Sequence, residues 1–335
     1  MRVLSFILGR LAVTPIIILG LITLVFFIVR VIPSDPISFI AGERATKEQI
    51  VELKQKWGLD KPLYTQYFIY LRQLAKGDFG TSFYTHQPVV EDLMRRLPAT
   101  LELTIVAVIL SVTLGVPFGI ISALGRNSWF DHLLRVVTIG GLSIVGFWLG
   151  IMLQLMIGYQ LNLLPLTGRI DLHAPQDITG FLILDSILTW NGKALLSSLK
   201  HLILPATAIA FASFAVIARF TRAGVLNVLR SDYVLYEQAM GLPYVLIIIK
   251  YVLRNSITST VTQVGLVFAS LLGGAAVIEM VFEWPGLGNF LVQSILLADY
   301  KVILGVTVWI GIVYIVMNLI IDIAQTIVDP RRIEQ

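Results

Sequence analysis

The 335-residue chain contains no cysteine, which excludes disulfides and thiolate metal sites outright. Charge is scarce as well: Asp, Glu, Lys and Arg make up 14% of the residues against 56% hydrophobic, and the mean hydropathy is +0.83. That balance leaves no room for a large solvated enzyme domain beside the apolar runs. His86, His132, His173 and His201 lie far apart, without metal-ligand spacing or a zinc-protease helix, so no metal site is expected. No Gly-rich loop followed by Lys and Ser/Thr is present, which excludes nucleotide hydrolysis by the P-loop route. Gly77-Asp-Phe-Gly80 and Gly286-Leu-Gly288 are too short for phosphate sites and read as tight turns. The net charge of +4 does not point to nucleic acid, because the basic residues gather beside apolar runs. A bilayer is the expected environment, and an all-α polytopic membrane protein the expected fold class.

Six spans follow from the runs of about 20 apolar residues. Residues 1–32 hold a basic N-terminus (Arg2, Arg10) and a first span too long for a signal peptide, read as a retained anchor. Residues 33–98 turn soluble in composition and form a small extracytoplasmic helical region. A capping box at Thr46 and Gln49 opens one helix there, with Ile50, Val51, Leu53 and Trp57 on its face and Gly58 as its stop. A second helix follows Pro62, with Tyr64, Tyr67, Phe68, Leu71 and Leu74 expected on one buried face. Residues 99–328 hold spans two to six, at about 101–124, 133–159, 202–218, 257–281 and 302–328, and 329–335 form a cytoplasmic tail. Positive charge in the short connectors places both termini and the 231–255 loop in the cytoplasm. Pro117 is expected to kink span two, and Gly115 and Gly119 to let it approach a neighbour closely.

The 231–255 loop breaks at Gly241, with Pro243 after it, so it reads as helix, turn, helix. Leu235, Tyr236, Met240, Leu242 and Tyr244 surround that turn, where water alone would select polar residues; the patch suits a partner's groove or a lipid surface. Span five is rich in uncharged polar residues, and Ser143, Thr262, Gln263 and Ser270 are candidate path-lining positions, with helix packing as the plainer alternative. Glu102 and Asp322 read as structural carboxylates, with proton relay as the alternative. Glu279 and Glu283 are assigned to an outer turn that they shape or through which they meet a partner.

Landmarks along nearly the whole chain carry a family resemblance. They include Ile32-Pro-Ser-Asp-Pro36, Gly58-Leu-Asp-Lys-Pro62, Gly77-Asp-Phe-Gly-Thr-Ser82, Pro98-Ala-Thr-Leu-Glu-Leu103, Leu164-Pro-Leu-Thr-Gly-Arg169, His201-Leu-Ile-Leu-Pro-Ala206, Phe282-Glu-Trp-Pro-Gly-Leu-Gly288 and Asp329-Pro-Arg331. In order and spacing the chain resembles the inner-membrane permease subunits of binding-protein-dependent ABC importers, in the dipeptide, oligopeptide and nickel branch. The resemblance implies a type I importer permease with six transmembrane helices that is not itself an enzyme. It implies a second permease subunit, two ATP-binding subunits that hold ATP and Mg, and an extracytoplasmic substrate-binding protein delivering peptide. It assigns Leu235, Tyr236, Glu237, Ala239, Met240, Gly241, Leu242 and Pro243 to a coupling helix docked on an ATPase. It assigns Glu283, Trp284 and Pro285 to contact with the binding protein. The chain departs from the family's usual pattern in Leu235-Tyr-Glu-Gln-Ala-Met240 and in Ile144-Val-Gly-Phe-Trp148, which lacks a proline. Nickel or a metal chelate is the alternative cargo, and a self-sufficient secondary transporter the alternative class.

Overall fold

A computed structural model describes residues 2–31, 60–171 and 174–328, with the side chains of residues 2–8, 30–31, 258–259, 322 and 324–328 outside that description. The capping-box helix around Thr46, the Asp329-Pro-Arg331 landmark and the side chain of Asp322 therefore fall outside the described residues. In chain order the helices are α1 (Arg2–Val31), α2 (Leu63–Leu74), α3 (Val89–Leu124), α4 (Trp129–Ser143), α5 (Gly146–Gln160), α6 (Leu182–Leu188), α7 (Gly192–Leu229), α8 (Asp232–Ala239), α9 (Tyr244–Gly274), α10 (Ala276–Val281), α11 (Leu287–Leu296) and α12 (Tyr300–Val328). The last turns of α5 and the first of α9 widen to π geometry at Gln154–Gln160 and Ile247–Leu253. Among the described residues there is no strand beyond an isolated Thr81–Pro88 bridge.

Among the described residues five helices are long and apolar enough to cross a membrane, and α4 with α5 makes a sixth crossing if the bent pair is one span. That bend, 102°, divides the third span expected at about 133–159 into two helices. Ile144 (φ −78°, ψ 124°) and Val145 (φ −72°, ψ 127°) are extended. Two β-branched residues between Gly140-Gly141 and Gly146 make the weakest helical stretch of the run, so tertiary packing breaks it there. Other bounds move too, mostly outward. Span four begins at Gly192 rather than near 202, and span five begins at Tyr244 and ends at Gly274, before α10. Helix propensity carries these segments beyond the hydrocarbon-length runs that marked them in sequence.

The pair α3–α7 is the spine. A Cβ added at Gly119 would sit 2.7 Å from the carbonyl oxygen of Ala218, and one at Gly115 3.0 Å from Ile217 Cγ2. The Ser111 hydroxyl donates across the seam to the Ala210 carbonyl (3.1 Å). Close backbone approach through small residues is how helices associate where no hydrophobic drive separates them from lipid. Gly119→Val is expected to force α3 from α7 at a cost of about 1–3 kcal/mol, read as a lower melting midpoint of the detergent-solubilised chain.

At one end α2 lies on α1. Phe26 is buried beneath Tyr67 and Tyr70, ring centroids 5.3 and 5.7 Å away, and the Thr23 and Tyr67 hydroxyls hydrogen-bond at 2.6 Å. The expected stripe is thus corrected: Tyr67, Tyr70, Leu71 and Leu74 turn inward or halfway, while Tyr64 and Phe68 are exposed. The inward aromatic face of α2 follows Phe26.

Candidate functional site

At the opposite, arginine-rich end, α8 ends in a tight cap. The Leu242 amide donates to the Glu237 carbonyl (3.3 Å) and the Gly241 amide to the Gln238 carbonyl (3.0 Å). This is the paired pattern that closes a helix through a left-handed residue, and Gly241 supplies it at φ +76°. Pro243 then starts α9. Val234 is fully buried among Ala123, Val225, Ile247, Ile248 and Val252, with Leu242 packed against them. Around this anchor Leu235, Tyr236, Ala239, Met240, Gly241, Pro243, Tyr244 and Val245 are exposed, Tyr236 by 62% and Met240 by 64%, and Glu237 is half-buried. The segment is an apolar knuckle seated firmly on α3, α7 and α9.

Beside it, Asp131 of α4 is wholly buried. Arg222 of α7 donates to it through Nε (2.7 Å) and Nη2 (3.0 Å), Ser122 of α3 through its hydroxyl (2.5 Å), and the Asn127 amide at 3.0 Å. Arg135 adds a contact at 3.1 Å. Three helices meet on one carboxylate. Sequence reading used positive charge in the connectors only to set topology and did not single out Asp131; the Ser128–Asp131 N-cap pair, whose Ser hydroxyl accepts the Asp131 amide at 3.3 Å, was the available signal.

Deeper along the same face, α5, α7, α9 and α10 enclose a cleft of about 470 Å³. Gln263 and Ser270 line it together with Ser213, Val216, Leu266 and Gly274, and its lining contains no charged residue. Ser143 and Thr262, the other two candidates, are not among its walls: Ser143 is the exposed last residue of α4, its hydroxyl donating to the Ile139 carbonyl (3.0 Å). Ser213, which sequence reading passed over, takes their place.

At the end away from the knuckle, the expected outer turn is largely interior. Glu279 is fully buried, accepting from the Thr100 hydroxyl (2.7 Å) and the Asn289 amide (2.9 Å). The indole of Trp284 is fully buried too, donating to the Ala99 carbonyl (2.8 Å). This corrects the assignment of Trp284 to binding-protein contact: the ring is the keystone of the α3–α7–α10 core and presents no surface. Glu283, in a left-handed conformation (φ 49°), and Pro285 remain exposed beside it. Glu102 is also buried and structural in its contacts, pairing with Arg169 (2.6 Å) and accepting the Ile183 amide (2.8 Å).

Asp185 gathers the loop before α6. Burial alone would raise its pKa, but hydrogen bonds from the Thr179 hydroxyl (2.6 Å) and the amides of Thr179, Ile178 and Gly180 outweigh it and hold it below the ordinary carboxylate value. A depressed carboxylate contributes fully above its unfolded pKa of about 3.9 and loses that contribution as pH falls through the lower folded value. Pepsin cleavage between residues 174 and 181 is therefore expected to accelerate only in strong acid, with Asp185→Ala cleaved readily throughout the pepsin range; identical profiles would remove the carboxylate from this role.

Comparison with known proteins places this geometry. Residues 115–334 match the family model described as binding-protein-dependent transport system inner membrane component, and residues 3–104 match the corresponding N-terminal model. The chain is 40% identical over 318 residues, 94% of each chain, to the probable D,D-dipeptide transport system permease protein DdpB of Escherichia coli (strain K12). It is 37% identical to the di/tripeptide transport system permease protein DppB of Pseudomonas aeruginosa (strain UCBPP-PA14), over 98% of each chain. It is 36% identical to the glutathione transport system permease protein GsiC of Escherichia coli (strain K12), over 92% of each. With helices that span a membrane and both family models matched in order, the chain belongs to the multi-pass inner-membrane components of binding-protein-dependent transport systems.

Proposed function

We propose that this chain is one permease half of an ATP-driven importer of short peptides. The observation that carries the proposal is the knuckle: apolar residues held out from the protein by a buried Val234 and a left-handed Gly241. An exposed apolar protrusion at the arginine-rich end fits a groove on a soluble partner. In this reading that end is cytoplasmic, as are both termini, and two ATP-binding subunits carrying ATP and Mg dock on this knuckle and its counterpart. Closure of the ATPases pushes Leu235–Pro243. The clusters it shares with α3, α7 and α9 pass that push to the cleft, which opens alternately to either side, a two-state change biased by nucleotide.

The second permease half supplies the other wall, and an extracytoplasmic binding protein hands the peptide to the surface around Glu283 and Pro285. Gln263, Ser270 and Ser213 offer neutral hydrogen-bonding groups that suit a peptide backbone, within an otherwise apolar lining. The relatives named above are peptide permeases, which favours peptide over nickel or a metal chelate; nothing in the cleft lining is a metal-binding side chain.

The test is reconstitution in liposomes with and without its partners. Labelled dipeptide uptake is expected only with the second permease, the ATPases, ATP and the binding protein together. Uptake by this chain alone would instead establish a self-sufficient secondary transporter, and ATP-dependent nickel uptake without dipeptide uptake would replace the cargo. A further expectation is that Gln263→Leu lowers transport several-fold while ATPase assembly is unchanged, measured in the same liposomes.

A further inference from the structure

At the arginine-rich end α4 and α7 leave an open groove of about 270 Å³ between them. Its walls are Leu134, Arg135, Thr138, Ile139, Arg219 and Arg222, with the buried Ala218 behind them. Arg222 and Arg135 share the single carboxylate of Asp131, at 2.7 and 3.1 Å. Arg219 has no ion pair or hydrogen bond among the described residues and only lies over the Phe220 ring, 5.7 Å from its centroid. Among the described residues, three guanidinium groups therefore line the groove against one carboxylate, a net of two positive charges.

The groove is part charged and part apolar. Arg222 and Arg219 lie one turn apart on α7 and share the groove with Arg135 of α4. Beside them the wall is Ile139, with the buried Leu134 and Ala218 behind, and Ile139 continues the exposed apolar face of α4 formed by Leu133, Val136 and Leu142. Trp129, 75% exposed, begins the same helix, where an amphipathic ring belongs at the boundary of the hydrocarbon. A free anion has use for the arginines but none for the apolar half. An anionic lipid uses both, because basic pockets between membrane helices suit lipid phosphates and the acyl chains need an apolar wall.

We propose that this groove binds an anionic phospholipid, its headgroup phosphate held by Arg219 with Arg135 and Arg222 flanking and its acyl chain lying along Ile139 and Val136. The bound lipid supplies the negative charge that Asp131 alone does not, and it ties α4 to α7 at the level of the knuckle.

The experiment uses the assembled transporter in detergent. Phosphatidylglycerol is expected to raise its melting midpoint, while phosphatidylcholine and inorganic phosphate at equal concentration leave it unchanged. Arg219→Gln should weaken the apparent phosphatidylglycerol affinity about fivefold, the effect of one basic residue at an anionic surface. Because this chain has no cysteine of its own, Ile139→Cys accepts a fluorophore, with the unsubstituted complex as the labelling blank. Phosphatidylglycerol carrying bromine on its acyl chains should quench that fluorophore in the wild-type background and less with Arg219→Gln present. An equal shift with inorganic phosphate would make this a free-anion site. An unquenched fluorophore would show the groove covered by another subunit, and equal lipid affinity in wild type and Arg219→Gln would remove Arg219 from any headgroup. Each of these three results overturns the proposal.

Discussion

Gly241→Asp is expected to abolish transport while leaving the chain inserted in the membrane. Gly241 holds φ +76°, a conformation that costs an ordinary L-residue roughly 1–2 kcal/mol. Asp tolerates that region better than most residues, so the helix cap can survive. A Cβ there meets nothing within 4 Å, so no internal clash unfolds the bundle. The damage falls outside: a charge is placed among Leu235, Tyr236, Met240 and Tyr244, where a docked partner would have to desolvate it. An unpaired buried charge costs several kcal/mol, enough to lower partner affinity by a hundredfold or more. Expected results are normal membrane yield, loss of ATPase subunits on purification, and dipeptide uptake at background. Gly241→Ala separates the two contributions, because it brings the backbone strain without the charge and should lose only part of the affinity. Full uptake by Gly241→Asp would sink the coupling role of the knuckle.

Asp131→Ala should produce the largest loss of stability. It strips the shared acceptor from Arg222, Ser122 and the Asn127 amide at once, leaving buried donors without a partner. Breaking a buried ion pair from one side costs up to about 3–5 kcal/mol, less here by as much as the groove lets solvent reach the Arg222 guanidinium, 21% exposed. Asp131→Ala is accordingly expected to aggregate or to melt well below wild type in detergent. Replacing both partners by apolar residues should recover most of the loss, as Asp131→Leu with Arg222→Met tests directly. A single Asp131→Ala variant with wild-type melting would show that water reaches the Arg222 guanidinium and that the three-helix junction does not depend on the carboxylate.

Much of the architecture was legible in the residues, for a physical reason. A bilayer demands about 20 apolar residues per crossing, so α1, α3, α7, α9 and α12 announce themselves, and their extensions into water only shift the bounds. Gly241 and Pro243 are turn chemistry that acts locally, and they placed the knuckle. The break at Ile144-Val145 was not legible, since its residues are as apolar as the spans on either side and differ only modestly in helix propensity. Trp284 misled for a related reason. An aromatic turn among Gly and Pro looks like a surface, and only the tertiary arrangement supplies the Ala99 carbonyl that the indole needs. Glu279 and Asp131 were opaque because their partners, Thr100 and Arg222, are 179 and 91 residues away. The cleft was half legible: polar residues in α9 marked Gln263 and Ser270, whereas Ser213 sits in α7 among alanines that read as packing.

The spine helix α7 runs 38 residues, with Pro205 inside it removing one ladder hydrogen bond. At 1.5 Å per residue it measures about 57 Å, nearly twice the roughly 30 Å of hydrocarbon it crosses. It packs into the indole-centred interior through Leu202 and Leu204 and under Val234 through Val225, so one helix touches both clusters. Over the roughly 32 Å from Leu204 to Val225 it acts as a lever: a tilt of about 5° at one end sweeps the other through about 3 Å. Displacement started at one face of the membrane arrives at the other within the same piece of secondary structure, with no relay of separate parts between.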